Sequence, residues 1–193
     1  HILPHWTWPG REGEVTPVFV YTNYPTAELF INGKSYGKQS KNNSSLKSRY
    51  RLMWMDAVYE PGEVKVVAYN KDGKAVAEKT VRTAGKPHHI ELVSNRNELT
   101  ADGKDLAYVT VKVVDKDGNL CPTDSRLIHF SVKGAGKFRA VANGDPTNLE
   151  QFHLPKMHAF HGMLTAIVQA GEIAGDLVLT AKASGVKTGT VHL

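Results

Sequence analysis

The stretch AELFINGKSYG, residues 27–37, contains the strongest local folding signal in the chain. An apolar run from Ala27 to Ile31 leads into Asn32-Gly33, and Tyr36 and Gly37 begin a returning segment. An Asn-Gly pair between apolar runs favours a two-residue β-hairpin turn, because both turn residues there need a positive φ. The stretch therefore predicts two antiparallel strands joined by a tight turn.

The same period-two pattern extends to both sides of this hairpin. Strands are predicted from Val15 to Tyr21, from Tyr50 to Val58, from Glu63 to Tyr69 and from Ala75 to Thr83, separated by Gly, Pro and Asn turns. The polar residues 39–48 cannot bury enough apolar area to join a core, so we expect an exposed loop there. Six or seven short strands in this part of the chain indicate an antiparallel sandwich.

The second half of the chain repeats the pattern after the small residues and proline of residues 83–87. Tyr108 to Val114 alternates cleanly, and further short apolar runs continue to Leu193. Because 193 residues suit two sandwiches of roughly 100 residues each, we predict an all-β fold. It comprises two tandem antiparallel β-sandwich domains, Ig-like, over residues 1–84 and residues 87–193.

The amino-acid composition limits the kinds of binding partner that we expect for this chain. Hydrophobic residues make up 41% and charged residues 22%, no apolar run is long enough to cross a bilayer, and the formal charge is +5. Basic residues often adjoin acidic ones, as in Lys71-Asp72, so we interpret them as a solvated surface and expect neither nucleic acid nor membrane as a partner. Cys121 is the only cysteine, which excludes an internal disulfide and indicates a structural thiol.

Two clusters resemble metal sites only superficially. His153, His158 and His161 have spacings that fit zinc poorly. Residues 115–119 lack the downstream glutamate of a calcium loop and read as a hairpin turn. We therefore expect no metal and no cofactor. The long stretch from Asp145 to Gly162 is expected to be packed down by Phe152, Met157 and Phe160.

Trp6, Trp8, Asn143 and Asp145 are the candidate contact residues. A flat indole can stack on a sugar ring and is also a common interface anchor, so Trp6 and Trp8 are predicted to dock another domain or to bind sugar. Trp54, within an apolar run, is predicted to be core. The Asn143-Gly144-Asp145-Pro146 string is either a structural corner or a loop that faces sugar or another domain. Tyr21, Tyr69 and Phe130 fall in predicted strands, where burial is expected.

Several strings together resemble the segment that follows the catalytic barrel in glycoside hydrolase family 2 β-galactosidases. The strings are HILPHWTW (1–8), VFVYTN (18–23), ELFINGKSYG (28–37), YEPGEV (59–64), TAG (83–85), ADGKDL (101–106) and VANGDP (141–146). They occur in the same order and span nearly the whole chain. The resemblance is specific for the enzyme family but carries little information about the substrate.

The resemblance implies that a TIM barrel with two catalytic glutamates, about 5 Å apart in a retaining enzyme, belongs to the same protein and precedes this region. Asn97-Glu98 only superficially matches the acid/base motif and is expected to be a surface turn. We therefore predict no catalytic residues here, and we expect the chain to have been cut from a longer, periplasmic or secreted glycosidase.

Three functions stay open at this point. The first is an accessory scaffold that supports the catalytic barrel or an oligomer; residues 1–84 would then follow the barrel, and residues 87–193 would form an Ig-like or invasin-like domain. The second is a pair of carbohydrate-binding modules, which predicts a row of exposed aromatic residues. The third is an adhesion domain unrelated to any enzyme. The scarcity of aromatic residues in polar contexts favours the scaffold.

Overall fold

The computed structural model describes all residues, 1–193, and contains strands and turns without any helix. No segment forms a helix of the length and apolar character needed to cross a bilayer. The chain divides into two compact units, unit 1 (His1–Thr83) and unit 2 (Ala84–Leu193). All named strand pairs are antiparallel. The all-β, tandem sandwich fold predicted from the sequence is confirmed.

Unit 1 has seven strands in two sheets. They are β1 (Ile2–Leu3), β2 (Val18–Val20), β3 (Thr26–Ile31), β4 (Lys34–Ser40), β5 (Leu52–Trp54), β6 (Glu63–Tyr69) and β7 (Ala75–Arg82). One sheet has the order β1-β2-β5 and the other β4-β3-β6-β7. The strands predicted from Val15 to Tyr21 and from Tyr50 to Val58 are shorter than the apolar runs that suggested them, since only three residues of each run pair in the β1-β2-β5 sheet.

The Asn-Gly turn forms the predicted hairpin between β3 and β4. Asn32 has φ 48° and Gly33 φ 81°, the left-handed values that a tight turn of this type requires. The Asn32 side chain also holds the neighbouring turn: its Oδ1 accepts the Glu63 N–H at 2.8 Å, and its Nδ2 donates to the Pro61 carbonyl at 3.2 Å. One asparagine therefore ties together the two turns at this end of the sheet.

The core of unit 1 is built from alternating strand residues and three large aromatic side chains. Alternation in β3 and β6 buries Ala27, Leu29 and Ile31 against Val64 and Val66. The aromatic members are Trp6, Trp54 and Tyr59, each 1% exposed.

Unit 2 has eight strands. They are β8 (His89–Ser94), β9 (Leu106–Val114), β10 (Leu127–Gly134), β11 (Gly136–Ala142), β12 (Lys156–His158), β13 (Met163–Ala170), β14 (Leu177–Lys182) and β15 (Gly189–His192). One sheet has the order β11-β13-β9-β8 and the other β12-β10-β14-β15. Without the short edge strand β12, the first, second, fifth and fourth strands share one sheet, and the third, sixth and seventh share the other. This is the strand arrangement of an immunoglobulin constant-type sandwich.

The stretch between β11 and β13 departs in part from the prediction. It contains strand β12, whose Met157 is fully buried, as expected for an apolar anchor. Phe152, however, is 56% exposed, so the prediction that it packs down is wrong. Tyr21, predicted to be buried in a strand, lies just beyond β2 and is 39% exposed, whereas Phe130 is buried as predicted. Period-two alternation does not indicate which residues at the end of a run still face the core.

Candidate functional site

Trp6 lies inside unit 1 with its whole indole covered. Its ring meets Tyr59 edge-on at 5.2 Å between centroids, and its Nε1 donates to the Glu60 carbonyl at 2.9 Å. Its own carbonyl accepts a hydrogen bond from the Thr83 hydroxyl at 2.5 Å. A buried indole with a satisfied N–H anchors the core of unit 1 in this structure.

Trp8 is only partly buried and lies in a small stack. Its ring stacks on His5 at 4.0 Å, the Arg11 guanidinium lies 5.4 Å from its centroid, and its Nε1 donates to the His5 carbonyl at 2.8 Å. Its backbone N–H donates to the Tyr59 hydroxyl at 3.2 Å. Trp54 is core, as predicted, with its Nε1 donating to the Gly37 carbonyl at 3.0 Å.

The Asn143-Gly144-Asp145 string forms a tight corner in unit 2. Gly144 has φ 78°, and the Asn143 Oδ1 accepts the Asp145 N–H at 3.0 Å. The Asp145 carboxylate accepts the Thr147 N–H at 2.8 Å and the Thr147 hydroxyl at 2.7 Å, and these bonds lower its pKa. Trp6 and Trp8 belong to unit 1 and this corner to unit 2. The docking or sugar-binding role of the four residues stays a prediction.

Asp115 is the most deeply buried carboxylate of the chain, at 2% exposure. Its oxygens accept the N–H groups of Gly85 (2.8 Å), Asp117 (2.9 Å) and Asn119 (2.8 Å), and the Asn119 side-chain amide also donates to it. Burial alone would raise the pKa of Asp115, but the donors outweigh it and the pKa lies below its usual value. Residues 115–119 are therefore a hairpin turn held by a carboxylate, as the sequence indicated.

Other carboxylates serve turns in the same way. Asp102 accepts the N–H groups of Lys104 and Asp105, while Asp105 accepts that of Thr100 and pairs with Arg96 at 2.9 Å. Backbone donors lower the pKa of both Asp102 and Asp105. Glu98, the residue that superficially matches a catalytic motif, is exposed in the connection between β8 and β9, as expected for a surface residue.

The three histidines lie in separate surroundings. His158 contacts Glu150 at 3.1 Å, and the Nδ1 of His161 lies 3.2 Å from the Pro122 carbonyl oxygen. His153 lines an open groove instead. The structure contains no group of three His, Cys, Asp or Glu side chains placed to hold a metal ion.

Cys121 is buried at 3% exposure beside the Asp115 turn. Burial, followed by the charges of Asp115 and Asp124, raises the pKa of its thiol to about 11. A thiol with this pKa is a poor nucleophile at neutral pH, which fits the predicted structural role.

A groove in unit 2 and the charge of the loop predicted at residues 39–48 in unit 1 were not foreseen from the sequence. In unit 2, an open groove of about 720 Å³ is lined by residues that include Leu106, Arg139, Leu149 and Phe152. In unit 1, residues 41–51 form a loop with four basic residues and no acidic ones. The absence of acidic residues from this stretch was the signal for its positive charge. The composition of the whole chain, in which basic and acidic residues are nearly balanced, concealed that signal.

The strand arrangement defines a tandem of immunoglobulin-like sandwich domains, and several of its carboxylates, buried Asp115 among them, hold turns. The family description "Glycoside hydrolase family 2 C-terminal domain 5" matches residues 90–192, and "Domain of unknown function (DUF4982)" matches residues 13–77. The first match covers more than half of the chain. The chain belongs to glycoside hydrolase family 2, as part of its C-terminal β-sandwich region.

Individual relatives agree with this assignment. β-Galactosidase BoGH2A of Bacteroides ovatus is 41% identical over 194 residues, which cover 100% of this chain and 22% of that enzyme. A β-glycosidase from Bacteroides vulgatus superimposes with a TM-score of 0.91 at 32% identity, covering 100% of this chain and 24% of its own. A family 2 member from Bacteroides cellulosilyticus has a TM-score of 0.85 at 34% identity, covering 98% and 25%. The chain thus spans about a fifth to a quarter of the length of these relatives.

Proposed function

We propose that the chain is a non-catalytic accessory region of a β-galactosidase-like family 2 glycosidase. Its two sandwiches support the catalytic barrel or the contacts of an oligomer, and the retaining hydrolysis takes place on the barrel. The chain itself performs no bond cleavage in this proposal.

The observation that carries the proposal is the way the chain uses its carboxylates. A retaining glycosidase needs two carboxyl groups about 5 Å apart, one of which must have a raised pKa to act as the acid. Every carboxylate with a shifted pKa in this chain is shifted downward, and each accepts hydrogen bonds in a turn or between side chains. They are Glu28, Asp102, Asp105, Asp115, Asp145 and Glu150. The lowered pKa values favour the ionised form of these groups, which accept structural hydrogen bonds from backbone or side-chain donors.

The share of each relative that this chain spans also supports the proposal. All of this chain aligns with 22% of BoGH2A, so most of a comparable enzyme is available for a barrel of about 250 residues and other domains. Within the domain-docking prediction, Trp6 and Trp8 have different roles. Trp8 can contact a neighbouring domain directly through its partly exposed ring, whereas the buried Trp6 can act only by holding the segment that presents Trp8.

The test is a domain replacement in BoGH2A. One variant lacks the region that aligns with this chain, and a second carries these 193 residues in its place. We expect the deletion to lower the melting temperature of the catalytic domain or to remove activity, and the replacement to restore both in large part. The measurements are calorimetry and hydrolysis of an aryl β-galactoside.

A replacement carrying Asp115→Asn and Asp102→Asn is the matched control for hidden chemistry. It should keep the kcat of the unmodified replacement, because these carboxylates are proposed to act only in folding. A deletion variant with unchanged melting temperature and unchanged kcat would contradict a supporting role.

We also propose a periplasmic or secreted location, in keeping with the resemblance to polysaccharide-degrading enzymes. Cell fractionation with an antibody to unit 2 tests it. Recovery of the full-length protein in the cytosolic fraction alone would contradict it.

A further inference from the structure

The net charge of the chain is concentrated in one loop. Unit 1 has 12 Lys and Arg residues against 8 Asp and Glu, whereas unit 2 has 12 against 11. Residues 41–51, here called the basic loop, contain Lys41, Lys47, Arg49 and Arg51 and no acidic residue. The basic loop alone therefore accounts for the whole excess of four positive charges in unit 1.

None of these four cations has a carboxylate partner. Three other basic residues of unit 1 have one, in the pairs Arg11–Glu14, Lys65–Glu78 and Arg82–Glu63. In the basic loop, the Lys41 ammonium donates to the Thr22 carbonyl, and the two arginines bond backbone carbonyls through Nε only. The loop thus presents positive charge that nothing within the chain neutralises.

The basic loop is folded on itself. The Asn42 N–H donates to the Ser48 carbonyl at 3.3 Å, and the Arg49 N–H donates to the Ser45 carbonyl at 2.9 Å. The Nε atoms of Arg49 and Arg51 donate to the carbonyls of Asn43 (3.1 Å) and Lys47 (2.9 Å). These bonds fix the stems of both guanidinium groups, so less conformational entropy is lost when an anion binds.

The guanidinium group of each arginine lies near an aromatic ring, and one of the two rings is exposed. Tyr50 is 71% exposed, with the Arg49 guanidinium 5.8 Å from its ring centroid, and the Arg51 guanidinium lies 5.4 Å from the centroid of Phe19. A planar guanidinium binds carboxylate or sulfate through two parallel hydrogen bonds. A flat ring beside it can stack on the C–H face of a pyranose.

We propose that the basic loop is a binding site for an acidic polysaccharide that carries carboxylate or sulfate groups. Arg49 and Arg51 bind the anionic groups and Tyr50 packs against a sugar ring. The choice of a saccharide over another polyanion rests on the proposed place of the chain in a glycosidase, while the preference for negative charge rests on the loop itself.

The test is calorimetric titration of the 193-residue chain with a uronic acid oligosaccharide and with a neutral galactan oligosaccharide of equal length. We expect saturable binding of the first and none of the second. The variant R49Q/R51Q should weaken binding about tenfold or more, the loss expected when one charge-assisted hydrogen bond of about 1.5 to 3 kcal/mol is removed. Tyr50→Ala should weaken it about fivefold, as for loss of about 1 kcal/mol of ring packing.

K71Q/K74Q is the matched control, since it removes two exposed positive charges from another loop of unit 1. It should keep the affinity within about twofold, because neither lysine belongs to the basic loop and exposed charges outside the site are partly screened by salt. Unchanged tryptophan emission will show that each variant is folded.

Three results would overturn the site: no binding of the uronic oligosaccharide, equal weakening by R49Q/R51Q and K71Q/K74Q, or equally tight binding of single-stranded DNA of the same charge. None of them bears on the supporting role, which is measured by the domain replacement in BoGH2A.

Discussion

The two units differ in where they place their fourth strand, and turn chemistry explains the difference. In unit 1 the Asn32-Gly33 turn folds β4 directly back on β3, so both strands share a sheet. In unit 2 only Ala135 separates β10 from β11, and the chain passes to the opposite sheet. Gly134 makes this passage possible: it has φ 92°, and a Cβ there would lie 1.9 Å from the Asp176 carbonyl oxygen. Similar successions of strands are thus distributed differently between the two sheets of each unit. The difference depends on a few turn residues, Asn32-Gly33 in unit 1 and Gly134-Ala135 in unit 2.

The units also differ in how polar groups hold their cores. In unit 1, indole N–H groups of Trp6 and Trp54 bond backbone carbonyls from inside the core. Unit 2 contains no tryptophan, and its core is mostly Val, Ile, Leu and Ala, with Asp115 holding the backbone at its edge. All three tryptophans lie in unit 1 and the one cysteine lies in unit 2. Tryptophan emission can therefore follow the folding of unit 1, and thiol labelling that of unit 2.

The largest effect is expected for Trp54→Ala. Removing a fully buried indole should lower the free energy of unfolding of unit 1 by about 3 to 5 kcal/mol, because it leaves a cavity and frees the Gly37 carbonyl. Calorimetry should show the unit 1 transition shifted and the unit 2 transition unmoved. Met55→Ala, at a neighbouring residue that is 56% exposed, is the control and should change little. A shift of both transitions would mean that the units do not unfold separately.

The second largest loss of stability tests why β11 passes to the opposite sheet. Gly134→Ala should destabilise unit 2 by about 3 kcal/mol, combining the cost of a left-handed φ with an overpacked backbone contact. Gly33→Ala in unit 1 has a similar φ but no atom within 4 Å of the added Cβ, so about 1 kcal/mol is expected. Urea unfolding, followed by circular dichroism, measures both variants. Equal losses of unfolding free energy in the two variants would show that the close approach of Gly134 to Asp176 does not determine where the chain changes sheets.

A smaller effect is expected for Asp115→Asn, which weakens the hydrogen bonds to three backbone N–H groups. We expect a loss of about 2 kcal/mol at pH 7 from unit 2. Asp117→Asn, at an exposed residue of the same turn, should be nearly neutral. A loss as large as that of Asp115→Asn in this control would argue for a general charge effect.

The pH dependence of this loss follows from the lowered pKa of Asp115. Its contribution is fully present above the unfolded pKa of about 3.9 and is lost as pH falls through the lower folded pKa. The difference in unfolding free energy between the wild type and Asp115→Asn should therefore narrow as pH drops below about 4. A constant difference down to pH 2 would contradict the assignment of the shift.

The smallest effect is expected from thiol labelling of the native chain. Cys121 is buried with its thiol pKa raised to about 11, so iodoacetamide at pH 8 should leave it unmodified until unit 2 unfolds. Labelling in urea should follow the circular dichroism transition of unit 2 and be independent of Trp54→Ala. Rapid labelling in the native state would place the thiol at the surface.

Local chemistry explains which features were predictable from the sequence. The Asn32-Gly33 hairpin, the 115–119 turn and the burial of Trp54 depend on adjacent residues and were predicted correctly. The bond from Gly85 to Asp115 joins residues 30 positions apart, which no local pattern reveals. Trp6 lies among polar and turn residues, so its burial depended on Tyr59 and Glu60, more than 50 residues away. Phe152 shows the reverse, since an apolar residue in a long loop need not reach the core.

We propose above that the carboxylates of this chain hold its fold and perform no glycoside chemistry. The most direct test is hydrolysis of an aryl β-galactoside by the purified 193-residue chain, beside Asp102→Asn, Asp115→Asn and Asp145→Asn variants. We expect the wild type and all three variants to release the aryl group at the rate of buffer alone. Turnover by the wild type that is lost in any one of these variants would contradict it.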